Sequence, residues 1–332
     1  MADEMRAVVA PEPGPPELLE LRRAPVPEPG PGQARIRVAY AALNPLDTHA
    51  RAARIEWNAP TFPFTPGYEY SGLVDAVGED VDPTLIGRRV VSEAEWGGCA
   101  DYALATAARL IDIPEGFGWQ LGTVFHTCAY SAWHVLHTAG RLAPGDHLLL
   151  HSAAGPVGIV ATQIAKEAGA TVFGLVGSPQ KIEFARPFGA DHLIDRRASD
   201  WLAEIRRLTD GRGVDLIVDG VAGPDAHRNF GALAPLGQVI YMGAVAGQPP
   251  PVDISRQLYA KTIAVRGFVV YVAMAQTGGR EKPEIHEALR SGRWQIPITH
   301  VVPLEQTAEM HRRFENRELH GKSLIEVGGE LG

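Results

Sequence analysis

Short apolar runs alternate with helix-length segments from about Gly122 to Gly267, the pattern of strand–helix units that wind around a parallel sheet. The runs are His147-Leu148-Leu149-Leu150, Thr171 to Val176, Val214 to Val218 and Gln238 to Met242. Between the first two, Val157, Val160, Ala161, Ile164, Ala165 and Ala168 recur at helical spacing and Gly169 follows as a stop. The spacing predicts a helix over 157–168. Before Gly116 the texture is different. Ala34 to Tyr40 and Arg88 to Val91 read as strands, while Pro11 to Pro16 and Pro25 to Pro31 exclude helix interiors. That part predicts a compact β-rich domain with irregular loops. After Gly267 the texture is mixed, with one amphipathic helix candidate at 306–314, and this tail is expected to return to the first domain.

Composition narrows the classes. A chain of 332 residues exceeds one ordinary hydrophobic core, so two domains are expected, and 45% hydrophobic with 21% charged residues fits a packed protein rather than a disordered one. Its 31 Lys and Arg against 39 Asp and Glu give a net charge of −8, which offers phosphate backbones no general attraction and excludes generic nucleic-acid binding. Two cysteines, Cys99 and Cys128, make neither a disulfide framework nor a four-cysteine zinc site. The acidic start Met1-Ala2-Asp3-Glu4-Met5 is unlike a secretory signal, and no apolar run has membrane-spanning length. A cytoplasmic protein without a membrane segment is the expectation.

The most informative segment is Leu148 to Gly158, where a buried strand enters the small-residue turn Ala153-Ala154-Gly155-Pro156-Val157-Gly158 and then a helix. This is an A-x-G-x-x-G form of the dinucleotide fingerprint. Small residues let the backbone turn tightly and approach a pyrophosphate, and the helix start offers free N–H groups and the positive end of its dipole. Pro156 suits the first helical turn, where a missing donor matters little. At the end of the second strand the sequence is Val176-Gly177-Ser178-Pro179-Gln180-Lys181, with no acid to hold a ribose 2′-hydroxyl. Ser178, Lys181, Arg196 and Arg197 are groups that suit a 2′-phosphate, so NADPH is expected over NADH, with Asp195 as the opposing feature.

Several segments, in order, are similar to the medium-chain dehydrogenase/reductases, and among them to the zinc-independent quinone oxidoreductases related to zeta-crystallin. They are Asn44-Pro45-Leu46-Asp47-Thr48-His49-Ala50-Arg51, Pro66-Gly67-Tyr68-Glu69-Tyr70-Ser71-Gly72-Leu73-Val74, Gly97 to Tyr102, Ser152 to Gly158, Gly189-Ala190-Asp191 and Gly321-Lys322. The resemblance implies an α/β protein with a GroES-like, partly open β-barrel catalytic domain from 1–121 and 268–332, a Rossmann doubly wound parallel sheet from 122–267, and an active-site cleft at their junction. It also implies hydride transfer from NADPH and a homodimer formed by edge pairing of the Rossmann sheets near Val239 to Gly247 or Lys261 to Phe268.

Relatives that oxidise alcohols hold zinc with Cys and His ligands. Here Asn44 stands about where the first Cys would be and Tyr68 where the His before Glu69 would be, so no metal is expected. Without a Lewis acid, hydrogen bonds must stabilise the oxygen on which negative charge appears. The resemblance points to Asn44 as donor, with Asp47, His49 and Arg51 lining or organising the same loop. His49 stands in place of the tyrosine usual in the family and offers a proton near neutral pH. Asp47 and Arg51, four apart, equally suit a structural pair. Glu69 reads as structural, and Trp57 as a ring that stacks on a planar substrate. Val221, Gly243 and Ala244 follow strands of the parallel sheet, at the edge where open α/β sheets bind ligands. Phe268, Val269, Val270 and Lys322 join the coenzyme site by resemblance alone. The function these features imply is reduction of a quinone or other α,β-unsaturated carbonyl by NADPH. A 2-enoyl reductase is the alternative, and a non-catalytic NADPH-binding protein the alternative of another class.

Overall fold

The computed structural model describes residues 4–56, 58–93 and 95–331, so Trp57 lies outside the described residues. The chain divides into two compact units, Met1–Phe125 with Pro297–Gly332, and His126–Ile296.

The first unit is built on a sheet with strands in the spatial order Ile298–Pro303, Lys322–Glu326, Gln33–Ala42, Glu69–Val77, Arg89–Glu93 and Ile111–Asp112, and Tyr102–Thr106 also pairs with Gln33–Ala42. Every pair is antiparallel except the first. In Gln33–Ala42 the side chains of Ala34, Ile36 and Val38 are buried while those of Arg35 and Arg37 are not, the period of two that sets a strand's inner face. Val8, Ile36, Tyr70, Val74 and Val90 share one core with Ile325 and Val327, so the C-terminal segment completes this unit. The amphipathic pattern at 306–314 becomes the helix Thr307–Glu315, which buries Thr307, Met310 and His311.

The second unit holds a six-stranded sheet in the order His192–Asp195, Thr171–Val176, His147–His151, Val214–Asp219, Leu233–Tyr241 and Ala264–Gly267. All its strands are parallel, and the order reverses between His147–His151 and Val214–Asp219, as in a Rossmann fold. Leu149, Phe173, Leu175, Ile217 and Val239 form the core of the sheet. The helix expected over 157–168 is Pro156–Glu167, and Gly169, at φ +82°, takes the left-handed backbone that ends it.

Both borders differ from the expectation. Residues 122–125 stay with the first unit as the end of helix Trp119–Phe125, where Thr123 Oγ1 meets Ser71 Oγ at 2.7 Å. Residues 268–296 stay with the second unit, because polar side chains on and around helices Val270–Thr277 and Lys282–Arg290 reach back into it. Glu281 lies 3.3 Å from His134, both without exposure, Tyr130 Oη is 2.9 Å from His286 Nε2, and Trp294 Nε1 donates to Glu167 at 2.8 Å. Such long-range polar contacts leave no periodic signal in the sequence. Among the described residues no helix is long and apolar enough to cross a membrane.

Candidate active site

The small-residue turn grows directly out of strand His147–His151. Ser152 takes φ +55°, Gly155 donates to the Ser152 carbonyl at 2.8 Å, and Ala153 donates to the Leu175 carbonyl of the next strand at 3.1 Å. Gly155 is the extended residue before helix Pro156–Glu167, with Pro156 in its first turn. A Cβ at Gly158 would stand 2.5 Å from the Ser152 carbonyl oxygen and 2.9 Å from the Ala153 Cα, so only glycine lets the helix pack this closely on the strand end. The turn is therefore a cradle of small side chains, Ala153 to Gly158, at the start of a twelve-residue helix.

Ser178 precedes helix Pro179–Ala185, and its hydroxyl accepts from the Lys181 N–H at 3.4 Å. The guanidinium of Arg197 approaches from the third strand, with Nε 3.9 Å from the Cβ position of Gly177. Arg196 donates its backbone N–H to the Val176 carbonyl at 3.0 Å. Asp195 accepts from the Arg197 N–H at 2.9 Å, so the acid is turned toward its own chain.

Two further loops are joined at the carboxyl edge of the same sheet. Asp219, fully buried, accepts from the N–H groups of Val221 and Ala222 at 2.8 and 2.9 Å, and Asn229 donates to its other oxygen at 2.8 Å. Ala246 donates to the Val221 carbonyl at 2.8 Å and Gly223 to the Gly247 carbonyl at 2.8 Å, which holds the segment of Gly243 and Ala244 beside that of Val221. Phe268 donates to the Tyr241 carbonyl at 2.9 Å, Val269 is exposed, and Val270 opens the next helix. His151 Nε2 bonds Asn229 Oδ1 at 2.8 Å beneath these loops, a contact with no signal in the local sequence pattern.

The polar cluster of the first unit begins at Asn44, extended at φ −123° before the short helix Pro45–Arg51. The Asn44 amide nitrogen donates to Glu69 Oε2 at 3.0 Å and points at the Ala42 carbonyl at 3.4 Å, while its oxygen accepts from Lys322 Nζ at 2.8 Å. Lys322 also donates to Glu69 Oε2 at 2.8 Å, and both are buried. Both amide hydrogens of Asn44 are thus directed at protein oxygens. Asp47 is fully buried and accepts from the N–H groups of Asn44, Gly67 and Tyr68 at 2.9, 3.0 and 3.0 Å. Burial pushes its pKa up to about 6, against these hydrogen bonds and the nearby Lys322 charge.

Arg51 is buried too, and its guanidinium binds Glu315 and the Gly14 carbonyl, so it does not pair with Asp47. The half-buried His49 makes no side-chain hydrogen bond among the described residues. Burial, and then the charge of Arg54, lower its pKa and keep the imidazole neutral at pH 7. Lys322 is bonded to Asn44 and Glu69 within the first unit. Its link to Asn44 spans 278 positions, beyond the reach of any local pattern.

The donor set does not suit zinc. Asn44 and Glu69 are already bound to an ammonium, the cluster contains neither thiolate nor imidazole ligands, and no group of three or more His, Cys, Asp and Glu suited to a metal occurs among the described residues. The Ala153 to Gly158 turn does suit a dinucleotide, because small residues lead from a strand end into a helix start that glycine at 158 lets pack against the strand backbone.

Residues 30–139 match the family described as alcohol dehydrogenase GroES-like domain, and residues 156–285 the one described as zinc-binding dehydrogenase. The quinone oxidoreductase of Pongo abelii is 29% identical over 320 residues, covering 96% of this chain and 94% of that one. The 2-haloacrylate reductase of a Burkholderia species is 27% identical over 335 residues, covering 96% and 98%. A mycobacterial protein solved in complex with NADPH superposes with a TM-score of 0.88 at 26% identity, over 97% of this chain and 99% of that one. With its GroES-like sheet, its Rossmann sheet and these relatives in hand, the chain belongs to the quinone oxidoreductase family of the medium-chain dehydrogenase/reductases.

Proposed function

We propose that the protein is an NADPH-dependent oxidoreductase that transfers hydride to a quinone or another α,β-unsaturated carbonyl. The observation that carries this reading is the glycine-closed cradle at Ala153 to Gly158, followed by a second-strand end bearing Ser178, Lys181 and the Arg197 guanidinium but no free acid. The full-length likeness to a quinone oxidoreductase and to a protein solved with NADPH supports it. Bound there, the coenzyme supplies the hydride. The start of helix Pro156–Glu167, at the end of the Ala153 to Gly158 turn, would hold the pyrophosphate, and Ser178, Lys181, Arg196 and Arg197 would hold the 2′-phosphate. Val221, Gly243, Ala244 and Phe268 to Val270 border the nicotinamide end.

On the acceptor side we assign to His49 the hydrogen bond to the developing oxyanion: its neutral imidazole carries an N–H and makes no side-chain hydrogen bond among the described residues, and the proton that completes the reduction comes from solvent. Asn44 and Asp47 position the short helix on which His49 sits, and Arg51 anchors its far end. A conjugated acceptor suits a site that has hydrogen-bond donors and no Lewis acid, because its negative charge is delocalised. Reduction of an activated alkene, as in a 2-enoyl reductase, is the second reading, favoured by the likeness to a 2-haloacrylate reductase. The protein is further proposed to act in the cytoplasm as a homodimer.

Turnover of NADPH against a panel of quinones, enones and enoyl thioesters, with product analysis, tests both readings. Quinone or enone turnover supports the first, and turnover of thioesters alone the second. No turnover with any acceptor contradicts both.

A further inference from the structure

Three distant segments place polar groups at one buried point. Asn44 precedes helix Pro45–Arg51, Glu69 opens strand Glu69–Val77 and Lys322 opens strand Lys322–Glu326. The side chains of Glu69 and Lys322 are 1% and 2% exposed, and both bond Asn44 as well as each other. Glu69 is held through Oε2 only, because its buried Oε1 has no hydrogen-bond partner among the described residues. Its charge is therefore balanced by the Lys322 ammonium.

The same ammonium decides which way the Asn44 amide faces. With Oδ1 on Lys322 Nζ, the NH₂ group must face Glu69, whereas the flipped amide would set NH₂ against an ammonium and oxygen against a carboxylate. Asn44 is also tied to the helix behind it through its backbone, since Asp47 accepts from the Asn44 backbone N–H while holding the N–H groups of Gly67 and Tyr68.

Resting on the proposed reduction, we propose that Lys322 is a positioning residue for that reaction: it locks Asn44 and Glu69, and through Asn44 fixes the start of the helix that presents His49. Lys322 then acts on the acceptor half of the reaction and leaves coenzyme binding alone. A buried ion pair that only supports the fold would lower stability without changing turnover per folded molecule.

The test is steady-state kinetics of Lys322→Met and of Glu69→Gln, a near-isosteric change that preserves packing, with unfolding curves confirming that the assayed protein is folded. The expected result is a fall in kcat of about tenfold for Lys322→Met and at least threefold for Glu69→Gln, with the KM for NADPH within twofold of wild type. Methylammonium is expected to restore part of the kcat of Lys322→Ala. A kcat within twofold of wild type in Lys322→Met and Glu69→Gln overturns the proposal, as does a raised KM for NADPH at unchanged kcat, which would make Lys322 a coenzyme contact.

A readout independent of turnover separates this proposal from the reduction itself. The His49 ring resonances in NMR spectra are expected to move in Lys322→Met and in Glu69→Gln. Unmoved resonances overturn the positioning role even if the wild type reduces no acceptor tried, and moved resonances with an inactive wild type uphold it while contradicting the proposed function.

Discussion

The carbonyl oxygen of Ser152 lies 2.5 Å from the point a Cβ on Gly158 would occupy, so the first turn of helix Pro156–Glu167 rests on the end of strand His147–His151 through backbone alone. Backbone cannot retreat as a flexible side chain can. Gly158→Ala is expected to push the helix start away from the strand, costing roughly 1–3 kcal/mol of stability and weakening NADPH binding at least tenfold. A fluorescence titration with NADPH, beside a thermal melt, measures both. Unchanged affinity would remove this turn from the coenzyme site.

Coenzyme choice is proposed to depend on the end of the second strand. Lys181→Glu and Arg197→Glu each place a negative charge where a 2′-phosphate is proposed to sit. Each is expected to raise the KM for NADPH about tenfold, roughly 1.4 kcal/mol, and to leave the KM for NADH nearly unchanged. Equal effects on both coenzymes would show that these residues do not meet the phosphate.

The contrast between these two sites marks how far the sequence could be read. Ala153 to Gly158 was legible because strand, turn and helix are contiguous, and each small residue answers to a local steric demand. The apolar runs at 171–176 and 214–218 became strands for the same reason, since buried parallel strands leave continuous hydrophobic runs. The Asn44, Glu69 and Lys322 cluster was not legible, because three chain segments meet there through side chains alone. The pairing of Arg51 with Glu315 was hidden in the same way, and the i, i+4 spacing suggested Asp47 instead. The border at 296 escaped for a related reason, since His134, Tyr130 and Glu167 find their partners far along the chain.

Acid is expected to destabilise the first unit through His311. This side chain is fully buried in helix Thr307–Glu315, and neither ring nitrogen has a hydrogen-bond partner among the described residues. Burial, with the charge of Arg51 second, pushes its pKa down to about 3 from 6.5. Between those values the unfolded chain binds a proton that the folded one does not, so stability is intact above pH 6.5 and falls as pH drops below it. The slope from one such group is about 1.4 kcal/mol per pH unit. Melting temperatures at pH 7, 6 and 5 are expected to fall less steeply for His311→Phe than for wild type. Parallel slopes would contradict the assignment.

The strand Ala264–Gly267 ends the six-stranded sheet with a partner on one side only among the described residues, and its Val265, like Val269 just beyond it, is exposed. An apolar edge of this kind suits pairing with a second copy. Light scattering is expected to give twice the chain mass of 35.7 kDa, and Val265→Asp is expected to shift the protein toward the single-chain mass. A single-chain mass for wild type would rule out the dimer.

The most direct test of the whole account is a single-turnover stopped-flow experiment, in which protein loaded with one equivalent of NADPH is mixed with excess quinone. The account predicts that the reduced-nicotinamide absorbance disappears completely and at a rate that depends on enzyme, with hydroquinone formed in equal amount. Bound NADPH that stays reduced in the presence of every quinone and enone tried would contradict it, leaving a protein that holds the coenzyme without using it.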